Sequence, residues 1–513
     1  MSLLLALACS DPKPPNVLVV TFDTTRADHV DLVGQGTPSW KGLATTGRVF
    51  TDAYTPAPVT LPAHVSLWTG LDPDEHGVRA NGLYQAPGEL EFLSERLRAA
   101  GWSTGAVVGA LPLHSQFGTD QGFDHFDDEG LSVTERPFDP ERDATAVTDA
   151  ALAMLPELEP PYLLWVHYFD PHLPWAESYS AEIREADEEL GRLLEHIDDN
   201  TLIVATADHG EGLGDHGERT HGYLLHRATL HVPLVLSGPG VTHGVERRRV
   251  SLTDVPAMVM HHLDGSTWEP EDRPLYAESE MPMAVGAAPI QSLFVGDARI
   301  VRTTRDRLFI GAEETPSEDP ELLAELGALL DERPMGTAKR ATLEEQTRVE
   351  LEALGYLMSR DDRGLDIYEH LDRIESPQRI PPEVLADPAL LATFLARNPD
   401  PHSWAEALSR TSSSQVAPHL DAASALFPDD LLIQALVAWH GPSDEALERV
   451  LADQGPLRRR SPAVLVIASE AALKLDRDDD ARRLCEELDG QVFFEPDLLQ
   501  RQARLRQQLE SHP

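Results

Sequence analysis

Five short apolar runs constrain this chain most: Asn16–Phe22 (NVLVVTF), Ser103–Val108 (STGAVV), Tyr162–Tyr168 (YLLWVHY), 201–206 (TLIVAT) and 231–236 (HVPLVL). The first lacks the polar alternation of a half-exposed strand and reads as a buried parallel strand. Residues 89–100, 143–155 and 182–197, which lie between the runs, carry helical apolar spacing, and the first of them stops at Gly101. Strands that alternate with helices make an α/β chain.

Three of these runs end in residues that bind metals. Asp23 follows the first, Asp170-Pro171-His172 the third, and Asp208-His209-Gly210 the fourth. Open α/β sheets place ligands at the carboxyl ends of their strands. Asp23 is therefore a metal-ligand candidate, with a plain turn cap as the alternative. Asp208 and His209 form the strongest pair, and Gly210 relieves crowding at their turn. An imidazole ligand suits zinc or manganese better than calcium, which prefers oxygen. His167 and Asp170 are either part of the site or residues that fix the loop. His216, His226 and His231 are weaker candidates in a histidine-rich loop.

Between the first and third runs stands Pro58-Val59-Thr60-Leu61-Pro62-Ala63-His64-Val65-Ser66-Leu67-Trp68-Thr69-Gly70, continuing to His76-Gly77-Val78-Arg79-Ala80-Asn81-Gly82. It reads as a hydroxyl nucleophile presented at a helix N-terminus, where free N–H groups and the helix dipole favour a tetrahedral anion. Thr60-Leu61-Pro62-Ala63-His64 with Ser66-Leu67-Trp68-Thr69-Gly70 resembles the sulfatase signature: Cys or Ser, any residue, Pro, any residue, Arg, then Ser-Leu-Leu-Thr-Gly. Asp23 matches the first Asp of that family's Asp-Asp-x-x-Arg segment. Thr24 stands in place of the second, which weakens a calcium site of the sulfatase kind. Residues 109–113 lack the family's sulfate-contacting Lys and His, and His64 replaces the signature Arg.

The resemblance covers about residues 16–310. It implies the fold of the alkaline phosphatase superfamily, a central mixed, mostly parallel sheet flanked by helices with a smaller C-terminal sheet. Oxidising the Thr60 alcohol would give a ketone rather than formylglycine, so the usual sulfatase nucleophile is closed to this chain. Other members of the superfamily use an unmodified, metal-bound Thr or Ser on phosphorus esters. Carried over residue by residue, Asp23, Thr60, Asp208 and His209 hold a divalent metal, zinc or manganese rather than calcium. Thr60 is the nucleophile, Asn81 steadies the equatorial oxygens, His172 protonates the leaving oxygen and His221 binds the anion. A second ion on Asp170, His172 and His221 is the two-metal version. The expected activity is a metal-dependent hydrolase or transferase of phosphate, phosphonate or sulfate esters. The alternatives are a sulfatase working without formylglycine, and a degenerate domain whose helical tail binds a partner.

The net charge of -45 excludes the basic face that nucleic acid or anionic lipid would need. Cys9 and Cys485 are too few and too far apart for a disulfide framework. The start MSLLLALAC, followed by a proline-bearing tether to residue 15, resembles a bacterial lipoprotein signal lipidated at Cys9. On that reading the chain is exported and meets a membrane only through its anchor. Length suggests several domains: a tether at 1–15, a catalytic domain at 16–312, a linker at 313–380, and an α-helical region at 381–513. The last resembles tetratricopeptide repeats or a plain bundle, suited to packing or a protein partner.

Overall fold

The computed structural model describes residues 14–131, 141–173, 175, 178–285, 287–333 and 366–369. Further on it describes 412–426, 431–441, 443–452, 462–489 and a few residues more between 391 and 509. Cys9 and its signal-like run lie outside the described residues. The chain divides into two compact units, residues 1–343 with 356–376, and residues 344–355 with 377–513.

The first unit begins with β1 (Asn16–Phe22), α1 (Pro38–Thr46), β2 (Arg48–Tyr54), α2 (Thr60–Thr69), α3 (Pro73–His76) and α4 (Leu93–Ala99). It continues with β3 (Ser103–Val108), β4 (His125–Asp127), α5 (Ala144–Met154), β5 (Tyr162–Tyr168), α6 (Tyr179–Leu194) and β6 (Thr201–Ala207). Next come α7 (Arg227–Leu230), β7 (His231–Ser237), β8 (Gly244–Glu246), β9 (Val250–Ser251) and α8 (Val255–Leu263). It closes with β10 (Leu275–Ser279), β11 (Ile290–Val295), β12 (Ala298–Arg302), β13 (Asp306–Ile310), β14 (Thr315–Ser317) and α9 (Pro320–Asp331).

Among the described residues the main sheet runs β4-β3-β5-β1-β6-β7-β2-β8, with β9 added beside β2. β1 lies at its centre, parallel to β5 on one side and β6 on the other, while β7 is antiparallel to both β6 and β2. The sequence of β1 requires that place. Val17, Leu18, Val19, Val20 and Phe22 are all fully buried, each such side chain contributing about 1.5–3 kcal/mol, and an edge strand would leave one face of them wet. Register decides the rest: Phe22 pairs with both Tyr168 and Ala207. The chain therefore leaves the sheet at Asp23, Phe169 and Asp208 on one level.

Helices start where their caps dictate. α6 begins at Tyr179, before the residue that periodicity marks, because the Ser178 hydroxyl accepts the Ala181 N–H at 3.3 Å. α4 begins at Leu93 rather than 89, where Glu95 reaches back to the Phe92 N–H at 2.9 Å. α2 is buried along its whole length. Trp68 on it meets Trp165 of β5 edge to face, the centroids 5.2 Å apart.

β10 to β14 form a separate antiparallel sheet in sequence order. α9 lays Leu326 and Leu330 against Tyr276, Leu293, Ile300 and Leu308 of that sheet. β14 and α9 fall within the span read above as linker. In the second unit the helices Leu431–His440, Asp444–Ala452, Pro462–Lys474 and Asp478–Asp489 share a core that includes Ile433, Leu436, Leu447, Leu465 and Leu484. No described helix is long and apolar enough to cross a membrane.

Candidate active site and metal centre

Asp23 is fully buried, and neither of its carboxylate oxygens has a hydrogen-bond partner. Asp208 is equally buried. Its Oδ1 accepts the N–H groups of Thr24 at 3.1 Å and His209 at 2.7 Å, while Oδ2 has no partner. The ring of His209 is oriented by its neighbour: Nδ1 lies 3.0 Å from the Gly210 carbonyl oxygen. A carbonyl only accepts, so Nδ1 carries the hydrogen and Nε2 presents a lone pair. That Nε2 lies 3.7 Å from Asp23 Oδ1 and 3.5 Å from Asp208 Oδ2, again with no hydrogen-bond partner. Gly210 admits this geometry because a Cβ there would stand 2.1 Å from the Ala228 carbonyl oxygen.

Four buried acceptor atoms without a protein partner are costly unless a cation joins them. One donor atom from each of Asp23, Asp208 and His209 falls within 4.8 Å of the others. Ligands about 2.1 Å from one tetrahedral centre stand roughly 3.4 Å apart, close to the two His209 separations above. Electrostatics agree. Burial pushes the Asp23 carboxyl up to about 7. Burial, then the nearby Asp23, hold Asp208 well above its ordinary value, and burial keeps His209 neutral. Two carboxylates that resist ionisation unaided are what a divalent ion reverses. The residues present fit such an ion.

Thr60 is the first residue of α2 and 2% exposed. Its carbonyl oxygen lies 2.8 Å from His64 Nδ1, and that same nitrogen is 3.8 Å from Asp208 Oδ2, so the first turn of α2 lies beside the Asp208 carboxylate. Asn81 joins this turn from the other side, its Oδ1 accepting the Leu61 N–H at 2.8 Å. Its carbonyl oxygen therefore serves as a helix cap. His64, expected to make the anion pocket less cationic, is 1% exposed and engaged through both ring nitrogens, the second to Thr21 Oγ1 at 3.1 Å. It is a connector inside the wall.

Beyond His209 the imidazoles continue. His221 lies 4.5 Å from His209 and His172 lies 5.1 Å from His221, centroid to centroid. His172 Nδ1 is 2.5 Å from the Leu173 carbonyl oxygen, so its Nε2 also carries a lone pair, and burial lowers its pKa to about 3. His221 differs. Burial disfavours its charged form, but Glu211, with Asp23 and Asp208, outweighs burial and raises its pKa. Glu211 Oε2 is 3.4 Å from His221 Nδ1, and its Oε1 accepts the Gly212 N–H at 3.1 Å.

The remaining candidates separate from this group. Asp170 points its Oδ1 at the Ala144 N–H, 3.0 Å away at the start of α5. Among the described residues, Asp170, His172 and His221 do not bring donor atoms within 4.8 Å of one another. The two-metal version is not preformed. His216 and His226 stack 3.6 Å apart and share Glu314 Oε2 at 3.0 Å each, but the Arg299 guanidinium lies 2.9 Å from both Glu314 and His226. A protein cation already occupies that cluster. His231 lies with Nε2 3.0 Å from the Thr51 carbonyl oxygen.

Sequence reasoning passed over Glu211 and Thr21, although a hydroxyl in the apolar run of β1 and a Glu after Asp-His-Gly were both visible signals. It noted Thr24 only as a missing carboxylate. Thr24 has φ of 48°, rare for a β-branched residue, and its buried Oγ1 has no partner.

The sulfatase family model matches residues 15–266. An uncharacterized sulfatase of Escherichia coli K12 is 23% identical over 342 residues, covering 49% of this chain and 66% of the relative. An ulvan-active sulfatase of Formosa agariphila is 24% identical over 299 residues, covering 45% and 57%. The chain thus spans less than two thirds of these relatives. Human iduronate 2-sulfatase is 41% identical over 71 residues, 13% of each chain. Among solved structures, a 2-O GAG sulfatase superposes with a TM-score of 0.52 at 17% identity, covering 66% of this chain and 96% of its own. The phosphonate monoester hydrolase of Agrobacterium radiobacter superposes with a TM-score of 0.52 at 18% identity, covering 62% and 96%. These likenesses bear out the mixed, mostly parallel sheet. Residues 15–266, just under half of the chain, match the sulfatase family model, and the solved structures of sulfatases share the chain's fold.

Proposed function

We propose that this chain is a metal-dependent hydrolase or transferase of anionic esters, with unmodified Thr60 as nucleophile and phosphorus esters preferred over sulfate esters. One observation carries the reading. Buried donor atoms of Asp23, Asp208 and His209 without a protein partner converge beside the helix turn that Thr60 begins. Zinc or manganese suits the His209 ligand better than calcium. When bound, the ion lowers the pKa of the Thr60 hydroxyl and offsets charge on the ester oxygens.

The protein groups divide the remaining work. Thr60 gives its hydroxyl proton to a neutral imidazole as Oγ1 bonds to phosphorus and the ester oxygen leaves, and the displaced alkoxide takes a proton from a second one. His221 is the group with a proton to give, because Glu211 supports its imidazolium. His172 enters with a bare Nε2 and suits the acceptor role, so the donor role that the resemblance gave to His172 passes to His221. A water or acceptor alcohol then breaks the Thr60–phosphorus bond and regenerates the hydroxyl. Asn81 Nδ2 and the Thr60 N–H steady the equatorial oxygens, because the Leu61 N–H is committed to Asn81 Oδ1, Pro62 has none and the Ala63 N–H is bonded to the Val59 carbonyl.

Sulfate-ester hydrolysis is the second reading, favoured by the sulfatase names of the relatives. The deciding experiment is a panel of aryl phosphate, phosphodiester, phosphonate and sulfate esters. It is run on protein reconstituted separately with zinc, manganese and calcium, using wild type and Thr60→Ala. The expected result is highest turnover on a phosphorus ester with zinc or manganese, and none in Thr60→Ala. Undiminished turnover in that variant would overturn the nucleophile, and a sulfate ester turned over fastest would favour the second reading.

A further inference from the structure

His221 stands on neither a helix nor a strand, so its place depends on what holds the loop around it. Before it the chain doubles back, the Gly212 N–H donating to the Thr220 carbonyl at 2.8 Å and the Gly214 N–H to the Glu218 carbonyl at 2.7 Å. After it two side chains close the loop. The Glu218 carboxylate is 1% exposed, and it accepts the Tyr223 N–H on Oε1 at 2.7 Å and the Leu224 N–H on Oε2 at 3.1 Å. The carbonyl of Gly222, next to His221, accepts the Ser279 hydroxyl at 2.5 Å. A carbonyl only accepts, so the hydroxyl hydrogen is committed there, and Ser279 Oγ in turn accepts the Met281 N–H at 3.1 Å.

Ser279 comes from far away in the chain. It ends β10, the first strand of the second sheet, and its neighbours reach the other loops of the site. The Glu278 N–H donates to the Pro56 carbonyl at 3.0 Å, in the segment that leads into Thr60. The Glu278 side chain takes Arg79 Nη1 at 3.2 Å, and Glu280 Oε2 accepts the Tyr84 hydroxyl at 2.7 Å. Arg79 and Tyr84 flank Asn81. Met281 completes the set: a Cβ at Gly222 would stand 2.9 Å from Met281 Cγ and 3.6 Å from Val59 Cγ2, so the residues before Thr60 and after His221 meet there.

Glu278 to Met281 thus hold the approach to Thr60, the turn of Asn81 and the loop of His221. β10 pairs with β11 along its whole length, and a paired strand fixes distances that loops alone leave loose.

We propose that Ser279 and Glu218 are positioning residues that set the His221 imidazole against Thr60, Ser279 through the Gly222 carbonyl and Glu218 through the Tyr223 and Leu224 amides. The proposal rests on the role given to His221 above. It makes the second sheet part of the catalytic apparatus, because the span from nucleophile to proton donor is measured along the end of β10.

The test is a double-mutant cycle. It uses zinc- or manganese-reconstituted protein and measures kcat/KM on phenyl and nitrophenyl esters of phosphate and of phenylphosphonate, with urea midpoints alongside. The variants are Ser279→Ala, Ser279→Thr, Glu218→Gln, His221→Ala, Thr60→Ala, and the first and third each combined with His221→Ala. Displacing a reacting group by about 1 Å can cost about 100-fold. Ser279→Ala and Glu218→Gln are therefore each expected to lose about 10–100-fold on the phenyl ester and less on the nitrophenyl ester, whose departure needs less proton donation. Ser279→Thr keeps the hydroxyl and should recover most of the loss. With His221 already removed, either change should cost less than roughly threefold, because residues that act through one group are not additive. Losses that are as large without His221 as with it overturn the proposal, as does wild-type kcat/KM in both single variants. The expected coupling in one residue alone keeps the role for that residue and removes it from the other. Wild-type turnover in His221→Ala overturns the donor role and this proposal together, while an inactive Thr60→Ala leaves the nucleophile standing. A wild type that turns over none of these esters overturns the proposed function as well. Should Ser279→Ala fail to fold, Glu218→Gln and its double variant decide.

Discussion

The Leu61 amide donates to Asn81 Oδ1 at 2.8 Å, and this bond ties the turn after α3 to the point where Thr60 opens α2. Asn81→Ala leaves a buried N–H unpaired, which costs about 1–3 kcal/mol. Asn81→Asp keeps the acceptor but adds a negative charge beside the anion site. The expected outcome is a split. Asn81→Ala loses both denaturant resistance and turnover, whereas Asn81→Asp holds its urea midpoint and loses kcat/KM by roughly tenfold or more through charge repulsion. Equal stability loss in the two variants would remove the capping role.

Asp23 makes metal-free stability depend on pH in a direction opposite to most carboxylates. Burial raises its pKa from 3.8 to about 7, so the folded chain keeps a proton that the unfolded chain releases. The contribution of Asp23 to stability is greatest below about pH 4, falls as pH rises toward about 7, and is level above. Asp23→Asn carries no such ionisation. In the presence of a chelator the variant should gain on wild type steadily from pH 4 to 7, read from urea midpoints. Added zinc should raise wild type at pH 8, by about 2.7 kcal/mol at a hundredfold excess over its Kd, and leave the variant where it was. Parallel pH curves for the two proteins would show that Asp23 is not held protonated.

The strands and the places of Asp23 and Asp208 were legible for the same reason. A run such as NVLVVTF can be satisfied only inside a sheet, and the polar residue that ends it must then emerge at the sheet's carboxyl edge, where Asp23 and Asp208 do emerge. What stayed hidden depends on partners far away in the chain. Thr21 and His167 are 146 residues apart, and His226 and Glu314 are 88 apart. No local pattern shows that Asp170 is committed to the start of α5, or that Arg299 closes the histidine cluster against a metal. Likewise α9 reads as a lone amphipathic helix until the sheet beneath Leu326 and Leu330 is known.

Glu211 supports the imidazolium of His221 from 3.4 Å while its other oxygen is held by the Gly212 N–H. In Glu211→Gln the amide preserves shape and removes the charge. Burial then has less to oppose it, and the pKa of His221 falls. If protonated His221 serves the leaving group, the alkaline limb of the kcat profile should move to lower pH in the variant, with KM for a phosphorus ester changing little. An ester with a good leaving group, such as a nitrophenyl ester, should show the smaller loss, because its departure needs less proton donation. A profile that only drops in height, for both kinds of ester alike, would assign Glu211 to folding instead.

Thr24 decides how many oxygens this site offers. It stands where the sulfatase segment has its second Asp, adopts a left-handed conformation at φ 48°, and holds its N–H 3.1 Å from Asp208 Oδ1. Its Oγ1 is buried without a partner. On the proposed metal reading the residue stands in the wall of the pocket without bringing a charge, and His209 would supply a nitrogen, a donor set that suits zinc or manganese. Thr24→Asp would restore a carboxylate, and Asp tolerates the left-handed region better than a β-branched residue. Calcium gains most from an added carboxylate, because its affinity follows the number of charged oxygen ligands. The variant should therefore bind calcium at least roughly tenfold more tightly than wild type in a competition titration, narrowing the gap to zinc. Calcium affinity unchanged in a variant that folds would mean that position 24 does not face the ion.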